Sequence, residues 1–277
     1  MKLSRTKTAA FSNWLREQEK SAATIEKYRR ETEQFAAWLD GRVLTKAAAQ
    51  EYKGLLAEKR TPAGINGAVA ALNCLFDFLD AADCRLKAVK VQRRIFRDET
   101  RELSQDEYRR LLAAARGRRN ERLLLVMETI CATGIRVSEL RYFTVEAVRL
   151  GRAEVTNKGK TRTVFLPGKL QKVLLKYAKS RRIAAGPVFV TRNGRPLDRS
   201  NICHDMKSLC KDANVAESKV FPHNLRHLFA RTFYGLEKDI VRLADILGHS
   251  DVNTTRIYTM ESGETHRRLL EKMRLVI

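Results

Sequence analysis

A chain of 277 residues is long enough for two domains of ordinary size or one large one, and with 44% hydrophobic residues it can build real cores, which excludes wholesale disorder. Its 54 lysines and arginines against 32 acidic residues leave a net charge of +22, a balance that favours polyanionic partners: nucleic acid first, an RNA-coating role included, and acidic membrane surfaces second. No run of about 20 apolar residues is present to span a bilayer, and the basic start Met1-Lys2-Leu3-Ser4-Arg5-Thr6-Lys7 has no apolar segment behind it to serve as a secretory signal.

In chain order, the first 86 residues predict an all-helical domain. The segment around Trp14 supplies one helix. From Ser21 to Asp40, Ile25, Tyr28, Thr32, Phe35, Trp38 and Leu39 recur at three- and four-residue steps and define one apolar face, with Gly41 as the stop. A third helix is predicted from Lys46 to Lys59. Thr61-Pro62 reads as an N-cap followed by proline at the first helical position, opening a helix that carries Val69, Leu72, Leu75, Phe76 and Leu79. Residues 87–101 are then read as a basic interdomain linker, with Lys87, Lys90, Arg93, Arg94, Arg97 and Arg101 able to neutralise DNA phosphates or simply to form a solvated charge run.

A second domain is predicted from residue 102 to residue 277. Ser104-Gln105-Asp106-Glu107 has the form of a capping box. Helices are expected through Leu123–Cys131 and Val137–Phe143, and a β-hairpin from the alternating runs Ala153–Thr156 and Thr163–Leu166, with Asn157-Lys158-Gly159-Lys160 in or near its turn. Val188-Phe189-Val190 is a candidate short strand. The pattern is helical again from Ser200, with breaks near Pro222, Gly235 and Gly248. The fold class expected is therefore mainly α: a helical N-terminal domain, then a mixed α/β, mostly helical domain with a small antiparallel sheet. The five cysteines, Cys74, Cys84, Cys131, Cys203 and Cys210, form no C-x-x-C pair. With His204 they lack the spacing of common zinc sites, and they fit a reducing, cytoplasmic setting.

Six polar residues of the second domain suit one another chemically. Arginine grips two non-bridging oxygens of a phosphoryl group with a rigid fork, and Arg136 and Arg226 could do so from separate segments. Arg136 could equally pair with Glu139 as an ordinary structural ion pair. His223 stands three residues before Arg226, on the same side of a helical turn. His249 follows Gly248, a predicted helix-terminating position. Tyr258 is the candidate nucleophile: a phenol with an ordinary pKa of about 10 needs a base or positive surroundings to attack at neutral pH. Lys158, on the hairpin turn, is placed to protonate a leaving 5′-hydroxyl, and Lys160 is the other candidate. His227 is read as pointing elsewhere on its helix, a structural residue. No carboxylate cluster suggests a magnesium site, so neither metal nor cofactor is expected.

The order Arg136, Lys158, His223-x-x-Arg226, His249, Tyr258 resembles the tyrosine recombinases, the family of lambda-type phage integrases and Xer recombinases. The likeness rests on Ala132-Thr133-Gly134-Ile135-Arg136-Val137-Ser138-Glu139-Leu140, on His223-Asn224-Leu225-Arg226-His227, on Leu247-Gly248-His249-Ser250 and on Thr254-Thr255-Arg256-Ile257-Tyr258. The steps of 23 residues from Arg226 to His249 and of nine from there to Tyr258 are similar to those of the Xer branch. The resemblance implies a core-binding helical domain and a catalytic domain clamped on double-stranded DNA. It implies that Tyr258 attacks the scissile phosphate to leave a 3′-phosphotyrosyl link, and that Arg136, Arg226 and His249 stabilise the charge. It further implies His223 as acceptor of the tyrosine proton and Lys158 as the acid. Lys87, Lys90, Arg93, Arg94, Arg97 and Lys160 become DNA contacts. The tail through Arg267-Arg268-Leu269-Leu270-Glu271-Lys272-Met273 would be a short helix docked on a neighbouring protomer, giving a tetramer on two DNA sites, or else packed on its own domain. A type IB topoisomerase and a catalytically silent DNA-binding relative are the alternatives.

Overall fold

In the computed structural model, residues 5–91, 98–157, 159–191, 193–260 and 263–273 are described. The chain divides into two compact units, Met1–Arg93 and Arg94–Ile277.

The first unit is four helices: α1 (Arg5–Glu17), α2 (Ala22–Leu39), α3 (Lys46–Lys59) and α4 (Pro62–Phe78). The last three begin alike. The hydroxyls of Ser21, Thr45 and Thr61 accept the backbone N–H of Thr24, Ala48 and Gly64, which satisfies a donor the helix cannot. Asp40, at φ 44°, provides the left-handed cap of α2, one residue before the glycine that the sequence suggests. The apolar faces meet in one core. Phe11 and Leu15 come from α1, Phe35 and Leu39 from α2, Tyr52 and Leu56 from α3, and Leu72, Leu75 and Phe76 from α4. The Phe35 ring lies 5.0 Å from Tyr52 and 6.0 Å from Phe76. Fully buried rings of this kind contribute about 2–3 kcal/mol each.

Beyond α4 the chain does not leave freely. Asn73 accepts the Leu86 N–H (2.7 Å) and donates to the Leu86 carbonyl (2.9 Å), and Asn66 does the same to Val89 (2.7 and 2.9 Å). Seven helical residues advance about 10.5 Å and three extended residues about 10 Å, so two asparagines two turns apart match Leu86 and Val89 in an antiparallel strap. Lys46 and Lys53 donate to the carbonyls of Arg85 and Lys87. Residues 87–89 of the predicted linker are thus held against the first unit, with the side chains of Lys87 and Lys90 exposed.

The second unit opens with the capping box of Ser104 and Glu107 on α5 (Gln105–Gly117), then α6 (Glu121–Thr133). Residues Val137–Tyr142 form a 3₁₀ rather than an α-helix, with Glu139 folded back on the Arg136 backbone N–H. There follow α7 (Val145–Leu150), β1 (Arg152–Asn157), β2 (Lys160–Phe165) and α8 (Gly168–Ser180). The strands pair antiparallel from Arg152 opposite Phe165 to Asn157 opposite Lys160. Val190 makes only an isolated bridge with Pro196, so the third strand suggested by its neighbours does not form among the described residues. The remaining helices are α9 (Arg199–Ser208), α10 (Cys210–Ala213), α11 (Pro222–Glu237), α12 (Ile240–Leu247) and α13 (Gly263–Met273). Helix α11 runs through Gly235 without a break. Apolar residues of α6 (Leu123, Val126, Met127, Ile130) form the centre of a core shared with Leu111 of α5, Val155 and Val164 of the hairpin, Leu174 of α8 and Leu225 of α11. No helix among the described residues is long and apolar enough to cross a membrane.

Candidate active site

The site grows out of chain reversals at helix ends. Helix α6 stops at Gly134 (φ 66°), where a Cβ would come within 2.3 Å of the Phe229 ring, so only glycine lets α11 approach this closely. Two residues on, Arg136 is held by Glu139. The Arg136 backbone N–H donates to one carboxylate oxygen (2.8 Å) and its Nη1 to the other (3.0 Å). The ion pair that the sequence allows as a structural alternative therefore exists, and it presents an Arg136 side chain that is still 29% exposed.

Arg226 projects from α11, three residues after His223, and is 1% exposed. Its Nη1 donates to the Gly134 carbonyl (2.6 Å), and its Nη2 to the Leu247 carbonyl (2.7 Å) and to His249 Nε2 (3.0 Å). Its Nε has no hydrogen-bond partner among the described residues. Burial and the neighbouring Arg136 pull its pKa down to about 10, which leaves it a cation at neutral pH. A buried guanidinium held by carbonyls and an imidazole, with no carboxylate bound to it among the described residues, is a costly arrangement for a protein that binds no anion there.

His249 follows Gly248, which closes α12 in the left-handed conformation. Since Arg226 donates to Nε2, the proton of the neutral ring sits on Nδ1 and is donated to Thr255 Oγ1 (2.8 Å). Burial, then Arg226 and Arg136, push the His249 pKa down to about 4, so the neutral form is the one present at pH 7. Thr255 is fully buried, and its carbonyl accepts the Tyr258 N–H (3.0 Å). Tyr258 itself, on a 3₁₀ turn, is 5% exposed and stacks on His249 at a ring separation of 6.2 Å.

The structure also brings in residues that sequence reasoning passed over. The α11 ring that meets Tyr258 edge-on is that of His227, at 4.9 Å and 89°, and His227 in turn lies 4.6 Å from the His223 ring. It does not point elsewhere: residues four apart share a helix face, and that spacing from His223 was the available signal. Its Nε2 is buried without a partner among the described residues, and burial, then His223 and Arg231, depress its pKa to about 3. His223 remains exposed at its edge, yet the protein packed around it, then Arg226 and Arg136, still lower its pKa. Arg162, from β2, reaches Glu139 with Nη1 (3.1 Å) and Nη2 (2.8 Å). Burial by itself would raise the Glu139 carboxyl; hydrogen bonds from Arg162 and Arg136 outweigh it and hold the carboxyl below its usual range.

Arg136, His223, Arg226, His249 and Tyr258 thus gather in one place. Lys160 is exposed at the start of β2, and Lys87 and Lys90 belong to the first unit. Lys158, Arg93, Arg94 and Arg97 lie outside the described residues.

Depressed histidine pKa values have a stability consequence. Below their ordinary value of 6.5 the unfolded chain takes up protons at His227 and His249 that the folded protein refuses until about 3 and 4. More protons on the unfolded state mean that stability falls as pH falls. The unfolding temperature of the second unit should therefore already drop between pH 6.5 and 5.5, above the ordinary glutamate value of 4.5, and His227→Asn should flatten that slope in scanning calorimetry. An unchanged slope would contradict the buried neutral assignment.

Residues 101–264 match the model of the phage integrase family. The chain is 30% identical to the tyrosine recombinase XerA of Thermococcus kodakarensis over 96% of this chain and 94% of that one. It is 32% identical to the tyrosine recombinase XerD of Pseudomonas aeruginosa over 85% and 86%. In fold it resembles a lambda integrase tetramer bound to a Holliday junction, with a TM-score of 0.74, 16% identity, and coverage of 91% of this chain and 76% of that one. A family match across more than half the chain, joined to a near full-length likeness to XerA, places the protein: it belongs to the phage integrase family of tyrosine site-specific DNA recombinases.

Proposed function

We propose that this recombinase cuts and reseals double-stranded DNA through a 3′-phosphotyrosyl link to Tyr258, without metal or ATP. The observation that carries the reading is Arg226: a buried cation with a spare Nε, beside Arg136 and Arg162, with Glu139 the carboxylate facing them. A phosphodiester supplies the missing negative charge and acceptor oxygens. Tyr258 Oη forms the new bond to phosphorus as the bond to the 5′-oxygen breaks. His223, neutral at its lowered pKa, takes the phenolic proton, and Lys158 delivers one to the leaving 5′-oxygen. His249 holds Arg226 through Nε2, so it stabilises the developing charge together with the two arginines. The phosphotyrosyl bond keeps the energy of the original ester, and a 5′-hydroxyl of a partner strand reseals it.

The biological task we infer is integration and excision, or resolution, of a mobile or circular DNA in the cytoplasm. Exposed Lys87, Lys90 and Lys160, with Arg93, Arg94 and Arg97, would bind the backbone phosphates. Helix α13 leaves Leu270 53% and Met273 50% exposed, which supports a tail that docks on a second copy and builds a tetramer on two sites.

The test uses the DNA that cross-links to the protein in its host, nicked to trap cleavage. In EDTA the wild-type protein should form a detergent-resistant adduct whose nucleotide-bearing peptide contains Tyr258. Affinity for the same DNA should fall at least about tenfold between 50 and 200 mM salt. A metal requirement, an adduct on another residue, or a flat salt response would count against the reading.

A further inference from the structure

We propose that Arg162 is the positioning residue that docks the β1–β2 hairpin onto the phosphate clamp, and so sets where the leaving-group acid stands. The inference rests on the reading of Lys158 as that acid.

A two-stranded hairpin has no neighbouring strand to fix it, and such a pair is marginal by itself. Here the base of the hairpin is anchored by Ala153, Val155 and Val164 in the core, while Thr156, Lys160 and Thr161 towards the turn are exposed. Arg162 stands opposite Val155, at the level where the core contacts end. Its side chain is 14% exposed and runs inward. All three guanidinium nitrogens are used: Nη1 and Nη2 on the two oxygens of Glu139, and Nε on the Ile246 carbonyl (3.1 Å) at the end of α12. One residue therefore joins the hairpin, the turn that presents Arg136, and the helix end that presents His249. The Tyr142 hydroxyl adds one neutral bond to the Thr156 carbonyl (3.0 Å).

Two features separate Arg162 from a phosphate ligand. Each of its three nitrogens already donates within the protein, whereas Arg226 Nε has no partner among the described residues. Space has also been made for it: a Cβ on Gly248 would come within 2.9 Å of Arg162 Cδ and Nη1. Gly248 thus ends α12 and leaves the slot that the guanidinium fills.

Positioning predicts a defect of one kind. With Arg162 lost, the hairpin turn is no longer registered on the clamp, and protonation of the 5′-oxygen suffers far more than attack by Tyr258, because Arg136 keeps its own two bonds to Glu139. The experiment compares nicked substrates with oxygen or sulfur at the bridging 5′ position of the scissile phosphate. Sulfur leaves as a thiolate and needs no proton. Arg162→Gln should cleave the oxygen substrate about 100-fold more slowly than wild type, as expected for a misplaced acid, and the sulfur substrate within about tenfold of wild type by the same account. Arg162→Lys, which keeps the charge and loses the fork, should fall between, and thermal unfolding checks that both variants fold. Equal loss on the two substrates, or near wild-type cleavage of the oxygen substrate, overturns the proposal. Lys158→Ala is run alongside. If sulfur rescues Lys158→Ala and not Arg162→Gln, the Arg162 inference alone fails; if sulfur does not rescue Lys158→Ala, the acid assignment fails and this inference falls with it.

Discussion

Tyr258→Phe will form no covalent adduct with nicked DNA, and its cleavage rate will drop by on the order of 10⁴–10⁶-fold, the range seen when a nucleophile is removed. The change takes away one oxygen and little volume. The ring is 5% exposed and packed between His227 and His249, and phenylalanine keeps both contacts. Folding and DNA affinity should therefore stay close to wild type, so the loss is chemical rather than structural. Electrophoresis in detergent reads the adduct, and a mobility shift on the same DNA reads binding. An adduct of wild-type yield from the variant would remove Tyr258 from the mechanism.

Arg226→Lys will lower cleavage by about 10²–10³-fold, the scale of losing a preorganised donor at a developing charge, while DNA affinity changes little because one phosphate contact among many is altered. Lysine keeps the positive charge, but its ammonium is a point and not a fork. It cannot span the Gly134 and Leu247 carbonyls, which receive Nη1 and Nη2, and still present a donor to phosphate. Leaving one of those buried carbonyls unpaired costs about 1–3 kcal/mol, so the variant should also unfold at a lower temperature. Single-turnover cleavage with a parallel melting curve separates the two effects. Wild-type cleavage by Arg226→Lys would show that charge alone suffices and that the fork has no role.

What could be read in advance follows the range of the interaction involved. The helices of the first unit and the cap of α4 at Thr61 were legible because capping and amphipathic periodicity act within a turn or two of the chain. The hairpin was legible because alternation and a turn lie within a dozen residues. The suggested strand at Val188–Val190 was not, since a strand needs a partner and local propensity supplies none. Likewise nothing local marks Asn66 and Asn73 as the strap for Leu86 and Val89: an asparagine on a helix acquires that role only when an extended segment lies beside it.

The site divides the same way. The sequence by itself determined which chemical groups are available and in what order, from Arg136 to Tyr258, because side-chain identity and spacing are one-dimensional facts. Only the tertiary structure decided their states and companions. Burial makes His227 and His249 neutral and lowers Arg226, the approach of α11 to Gly134 gives Arg226 its carbonyl partners, and the fold carries Arg162 to Glu139 from 23 residues away. The physical reason is that desolvation and long-range hydrogen bonds depend on what surrounds a group in space, and those neighbours come from segments far apart in the chain.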